Sequence, residues 1–344
     1  MRTAFMSTTR SASRVRFDTA FRRWRPIAIS LTVFGLLAPG AGASTGIAQE
    51  TRADTAPPVT LPNTHVHVLH SRVNGRTYLI QVALPTAYVN AGPGDVSRYP
   101  SLYLLDMGLF PLLYVHQQFF PSLRPTRTIP AILVGVSVPA DSLRKWYDRE
   151  SDYTAPLTAA DSQYFKRTGG TPPVGGGAPQ FLRVLKEEII PLVDRSYRTS
   201  GDRGIEGVSL AGFFVAYAML EEPDLFTRYA MVSPSLWYPW GREKGMILER
   251  EPEFAKQHPT FQKTVYVSVG SEENSTMIAV AWQFVRQLCH SISNGYYKGL
   301  DLGAETIPGM LHGSPTASVR ALAALYPTDS AAVKPGRGVI QDCR

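Results

Sequence analysis

The sequence predicts an α/β fold with a mostly parallel central sheet, helices on both faces and an antiparallel edge on the N-terminal side. Three observations predict it. Short apolar runs bounded by turn residues recur along the chain, longer helix-like segments separate them, and the first two runs flank an Asn-Gly turn.

Those two runs, residues 65–69 and 77–84, are rich in β-formers on either side of Asn74-Gly75, the pattern of a hairpin, and Pro85 ends it. Candidate strands follow at 101–105, 131–136, 204–208, 229–232, 265–269 and 301–307. The clearest helix spans 179–197, where Phe181, Leu182, Leu185, Ile189, Leu192 and Val193 recur at helical spacing while Lys186, Glu187 and Glu188 fall elsewhere. Two more helices are expected at 211–220 and 277–289. The stretches 139–177 and 233–262 read as long loops, and loops of that length in a folded domain are commonly lids or pocket walls.

A chain of 344 residues exceeds one typical domain of roughly 100–200, yet α/β domains often run longer, so one catalytic domain at 64–327 is expected. The net charge of +7 invites a nucleic-acid reading, but its distribution argues against one. Residues 1–43 carry seven arginines against one acid, Asp18, which accounts for six of the seven charges. The rest of the chain is nearly neutral and has no basic tract, so no nucleic-acid partner is expected.

The same arginines precede an apolar run at 27–37 and then Ala41-Gly42-Ala43, the three regions of a secretory signal peptide. The run is well short of the ~20 apolar residues a spanning helix needs. The expectation is therefore a removed signal at 1–43, a periplasmic or secreted protein, and no stable membrane anchor afterwards. Residues 44–63, rich in Thr, Ala and Pro, read as a disordered lead-in, and 328–344 as a C-terminal tail. Only two cysteines are present, Cys289 and Cys343, and an oxidising compartment allows them to pair or to remain free.

Gly207-Val208-Ser209-Leu210-Ala211-Gly212 lies between an expected strand and an expected helix, where a nucleophile elbow belongs. The sharp turn needs small residues around the serine, and Gly207, Ala211 and Gly212 supply them. Leu210 N–H, at the start of the helix, can then face an oxyanion. A second donor is expected from the turn Asp106-Met107-Gly108, with Met107 N–H first and Gly108 next.

In an elbow enzyme the base follows the acid, and both follow the serine. His312 lies in the turn-rich loop Pro308-Gly309-Met310-Leu311-His312-Gly313-Ser314 after the last expected strand, whereas His290 ends a helix and reads as a surface residue. The acid should follow strand 265–269, where Glu272 and Glu273 are adjacent. Consecutive residues of an extended loop point opposite ways, so only one of the two can support His312; Glu273 is preferred, Glu272 is the alternative, and a serine–histidine pair with no acid is the third reading. Trp237, Tyr238 and Trp240 are expected to wall the substrate cleft. His65, His67 and His70 have no nearby carboxylate or cysteine to complete a metal site and read as the exposed face of an edge strand.

With these residues in hand, the chain resembles the putative-esterase family of α/β hydrolases, which includes enterobactin-type siderophore esterases and esterase D. The resemblance runs from about 69 to 325. It is carried by Leu104-Leu105-Asp106, Asp152-Tyr153-Thr154-Ala155-Pro156, the elbow, Ser233-Pro234-Ser235-Leu236-Trp237, Val267-Ser268-Val269-Gly270-Ser271 and the His312 loop. It implies an α/β-hydrolase fold, a Ser209, Glu273 and His312 triad, Tyr153 at the substrate, no cofactor, and a small-molecule ester partner. The sequence departs from the family at Val208, usually His, and at Met107, usually Gly. An exported acyltransferase and a catalytically silent binding protein are the alternative readings.

Overall fold

The computed structural model describes residues 60–106, 110–119, 128–139, 142–170, 175–239 and 244–328, all within one unit, Val59–Arg344. The expected signal peptide, most of the lead-in, Met107, Gly108, Trp240, the tail from 329 and Cys343 lie outside the described residues. Cys289 is disulfide-bonded.

Strand β1 (Thr64–His70) turns through Gly75, at φ +72°, into β2 (Thr77–Ala83), and the two pair antiparallel with Thr64 opposite Ala83. The short helix α1 (Thr86–Val89) leads to β3 (Tyr99–Leu105), α2 (Phe110–Phe119) and β4 (Ile132–Ser137). Helices α3 (Ser142–Tyr153), α4 (Ala159–Thr168), α5 (Ala178–Val184) and α6 (Ile190–Ser196) come next, the last two joined by a π-helical turn, Leu185–Ile189. Then follow β5 (Thr199–Val208), α7 (Leu210–Glu221), β6 (Arg228–Val232), α8 (Met246–Gln257), β7 (Thr264–Gly270), α9 (Ser275–Ser293), β8 (Asp301–Ile307) and α10 (Pro315–Leu325).

The strands form one sheet in the order β1-β2-β4-β3-β5-β6-β7-β8. β2 pairs antiparallel with β1 and β4, and every ladder from β4 to β8 is parallel. This is the α/β-hydrolase fold. Alternate residues of each strand point to opposite faces. Tyr103, Leu105, Ile205 and Met231 accordingly join one core with α5, α7, α8 and α9, while Leu102, Leu104, Ala230 and Val232 join a second core with α2 and α10.

Two expectations need correction. The helix expected at 179–197 is interrupted, because Pro191 has no N–H to give the carbonyl four residues back, and the π turn just before it absorbs the mismatch. The two long loops also contain helices. α3 and α4 occupy the first, and in α3 the charged residues outnumber the apolar ones. α8 occupies the second and carries Pro252 in its interior. Leu248, whose carbonyl Pro252 cannot serve, accepts from Gln287 Nε2 of α9 at 2.8 Å instead, so a tertiary contact sustains a helix that the sequence pattern alone argues against.

The edge histidines are used locally. His67 Nε2 lies 2.7 Å from the Tyr197 hydroxyl, His65 packs on the same ring, and His70 bonds Thr77.

Candidate active site

β5 delivers Ser209 to the carboxyl end of the sheet, and α7 begins at the next residue. Ser209 sits at φ +61°, ψ −118°, a backbone conformation costly for a residue with a Cβ. The neighbours enforce it. A Cβ on Gly207 would lie 2.3 Å from the Ala211 carbonyl oxygen, and one on Gly212 would lie 3.0 Å from Pro234 Cα. Ser209 N–H donates to Val232 O at 2.9 Å, and Ser209 O accepts from Ser235 N–H at 3.0 Å, so both peptide groups of the strained residue are tied to β6 and the segment after it. Leu210 N–H belongs to the first turn of α7 and has no intrahelical acceptor.

Glu273 and His312 meet across the loops after β7 and β8. His312 Nδ1 donates to Glu273 Oε2 at 2.7 Å. An ionised carboxylate only accepts, so Nδ1 carries the proton and Nε2 is left with its lone pair for another partner. Glu273 Oε1 accepts from Ser233 Oγ at 2.6 Å and from Gly270 N–H at 2.7 Å. Burial pushes the Glu273 carboxyl up, but the bonds from His312, Ser233 and Gly270 outweigh it and hold the group below its ordinary value. The Glu273 side chain is 1 % exposed and the imidazole about half-exposed. Glu272, one residue away, is exposed and bonds Ser271 Oγ.

The two loops are stitched together by Ser271 N–H to Ile307 O at 3.0 Å, Glu272 N–H to Met310 O at 3.0 Å and Gly309 N–H to Ser271 Oγ at 2.8 Å. A Cβ on Gly313 would stand 3.5 Å from Val208 Cγ1, which puts the His312 loop beside the elbow. Ser209 Oγ lies 3.4 Å from Ser235 Oγ, and among the described residues no hydrogen bond joins it to His312. Such bonds often tighten only when substrate arrives.

At the end of β3, Asp106 turns the chain at φ +66° into the residues expected to hold the second oxyanion donor. Arg149 of α3 pairs with its carboxylate at 2.7 Å, and its N–H donates to the Tyr153 hydroxyl at 3.2 Å. Tyr153, expected at the substrate, is buried between Phe181 and Phe214 and supports this turn from behind. Tyr238 also lies in the core rather than in a cleft wall: it is 1 % exposed, donates to Ala155 O at 2.9 Å and packs on Phe213. Its hydroxyl explains the placement, since a buried O–H needs an acceptor and Ala155 supplies one. Trp237 is partly buried against the same core.

Comparison with known proteins gives the family. The family model described as Putative esterase matches residues 71–293. The chain belongs to the putative esterase family. It is 32 % identical over 212 residues to ferri-bacillibactin esterase BesA of Bacillus subtilis (strain 168), an alignment covering 59 % of this chain and 68 % of that protein. It is 27 % identical over 191 residues to the siderophore triacetylfusarinine C esterase of Aspergillus fumigatus, covering 54 % of this chain and 60 % of that one. The fold is shared with the BES protein from Bacillus cereus (TM-score 0.64, 23 % identity, 79 % of this chain and 97 % of that). It is shared too with the siderophore hydrolase EstB from Aspergillus nidulans (TM-score 0.62, 22 % identity, 79 % and 98 %).

The sequence points to Ser209, Leu210, Glu273 and His312, and the structure brings the last two into contact beside the elbow. The sequence assigns no role to Ser233, Ser235, Asp106 or Arg149. The first three lay in segments already noted as family-like, but their partners are 26 to 43 residues away and no local pattern announces them.

Proposed function

We propose that the protein is an exported serine ester hydrolase that works through an acyl-enzyme on a small ester or on a siderophore- or glycan-linked one. The His312–Glu273 bond of 2.7 Å beside a strained serine elbow carries this reading. Membership of an esterase family and the two siderophore-esterase relatives support it. Residues 1–43, with their basic, apolar and small-residue regions, support export.

In this mechanism Ser209 Oγ attacks the ester carbonyl while His312 Nε2 takes its proton. Glu273 stays ionised, fixes the imidazole's tautomer and stabilises the imidazolium that forms. The N–H groups of Leu210 and Met107 hold the oxyanion. His312 then protonates the departing alcohol, water enters, and the same imidazole activates it to release the acid and restore Ser209. The half-exposed imidazole and the strongly exposed Leu311 beside it suit a bulky substrate that stays partly outside the protein.

A panel assay tests the proposal: a siderophore lactone with and without bound iron, an acetylated or feruloylated sugar, and a short-chain aryl ester, each with and without a sugar acceptor. Hydrolysis of the lactone in preference to the others is the expected result. Acyl transfer to the sugar would make the protein an acyltransferase, and no turnover together with no labelling of Ser209 by a fluorophosphonate would make it a binding protein.

A further inference from the structure

Between β6 and α8 the chain runs Ser233-Pro234-Ser235, and each of these residues touches a different part of the site. Ser233 is buried, at φ +46°, and its hydroxyl donates to Glu273 Oε1 at 2.6 Å. Its own N–H is held by Ser268 O of β7 at 2.7 Å. Pro234 abuts Gly212 at the start of α7. Ser235, also buried, donates its N–H to Ser209 O at 3.0 Å and places Oγ 3.4 Å from Ser209 Oγ.

We infer that Ser233 is a positioning residue that fixes the rotamer of Glu273, and that Ser233-Pro234-Ser235 acts as a brace setting the acid in register with Ser209. The inference rests on the proposed roles of Ser209, Glu273 and His312. A glutamate has three side-chain torsions, and a single bond to an imidazole on a half-exposed loop leaves several of their combinations open. Two donors on Oε1, Ser233 Oγ–H and Gly270 N–H, close them and leave only Oε2 facing His312. Both donors come from the ends of adjacent parallel strands, β6 and β7, and not from the loop that carries His312. The carboxylate therefore belongs to the rigid sheet, and the imidazole docks onto it. The same contact distinguishes the adjacent glutamates, since Glu272 has no such anchor and points to solvent.

The left-handed backbone of Ser233 supplies a clean test. Glycine adopts φ +46° more readily than serine, so Ser233→Gly removes the hydroxyl while relieving backbone strain. The experiment is a double-mutant cycle on kcat and KM for an aryl ester with wild type, Ser233→Gly, Glu273→Gln and the double variant, with thermal unfolding of each. The expected result is a fall in kcat of about 10- to 100-fold in Ser233→Gly with KM within about twofold, the size of effect that a displaced catalytic group produces. In the Glu273→Gln background the same change should cost less than about twofold, because its target is already gone. Wild-type kcat in Ser233→Gly, with Glu273→Gln impaired, would overturn the positioning role and leave the triad standing. Equal losses in both backgrounds would also overturn it, as a merely structural serine would behave so. A harmless Glu273→Gln would remove both the acid and the brace that serves it.

Discussion

His312 Nδ1 stands 2.7 Å from Glu273 Oε2, and that single contact separates two adjacent glutamates between which the sequence gives only a preference. One is buried under three donors, and the other is exposed beside Ser271. Electrostatic support for an imidazolium is worth most where water is excluded from the carboxylate, which is why the buried residue is the proposed acid.

Substituting the two in turn should therefore give unequal results. Glu273→Gln is expected to lower kcat/KM by about 10²- to 10⁴-fold, since the amide can present its NH₂ to Nδ1 and disturb the tautomer. Glu272→Gln should stay within about threefold of wild type, as surface changes usually do little. Steady-state kinetics on one aryl ester read both, and a reversed order would move the acid by one residue.

The elbow makes a steric prediction. A methyl group on Gly207 would collide with the backbone of Ala211, which cannot move without displacing the first turn of α7. Gly207→Ala should destabilise the protein by about 1–3 kcal/mol or more and reduce fluorophosphonate labelling of Ser209 in whatever folds. Chemical denaturation combined with a labelling time course checks it. An unaltered midpoint would mean that the turn is looser than its dihedral angles indicate.

A second carboxylate predicts a pH dependence of stability. Glu206 lies on β5 three residues before Ser209, is buried, and its Oε2 has no hydrogen-bond partner among the described residues. Burial pushes its pKa up from the ordinary 4.5 to about 8. Between those values the folded protein holds a proton that the unfolded chain has released, so this group's contribution to stability is greatest below about pH 4.5 and declines until about pH 8. Glu206→Gln keeps the shape and cannot ionise. Its stability relative to wild type should rise across that window, measured by urea unfolding at pH 5 and pH 8, and a constant difference would show that Glu206 is not the titrating group.

The proline of α8 yields the fourth prediction. Gln287→Ala would strand the Leu248 carbonyl that Pro252 cannot serve and would remove one partner of the buried Glu251. A loss of about 1–3 kcal/mol is expected, the cost of leaving buried polar groups unpaired. Pairing it with Pro252→Ala, which lets the helix serve Leu248 itself, should recover part of that loss in thermal unfolding. No recovery would mean that the side chain matters only to Glu251.

Much of this was legible in the sequence for physical reasons. Strands such as β4 and β7 are runs of apolar and β-branched residues closed by turn residues, so their limits are local information. The elbow is largely local, since the steric demand on Gly207 comes from Ala211 and Gly212, although Gly212 also meets the distant Pro234. What escaped depends on contacts between distant segments. α8 survives Pro252 through Gln287, and α3 hides because its charged residues serve other elements, Arg149 on Asp106 and Asp152 on Tyr78. Tyr238 reads as a cleft aromatic until its hydroxyl is found on Ala155, and Ser233 reads as a turn residue until its partner, 40 residues on, is known.

The proposed function makes Ser209 and His312 one hydrolytic unit. Its most direct test is a comparison of Ser209→Ala, His312→Ala and the double variant, each assayed for kcat on a simple aryl ester and checked for an unchanged unfolding midpoint. Each single change is expected to lower kcat by about 10⁴-fold or more, and the double variant should be little worse than either, because a nucleophile without its base and a base without its nucleophile are equally idle. Losses that multiply in the double variant would contradict the claim, since they would show two residues acting independently.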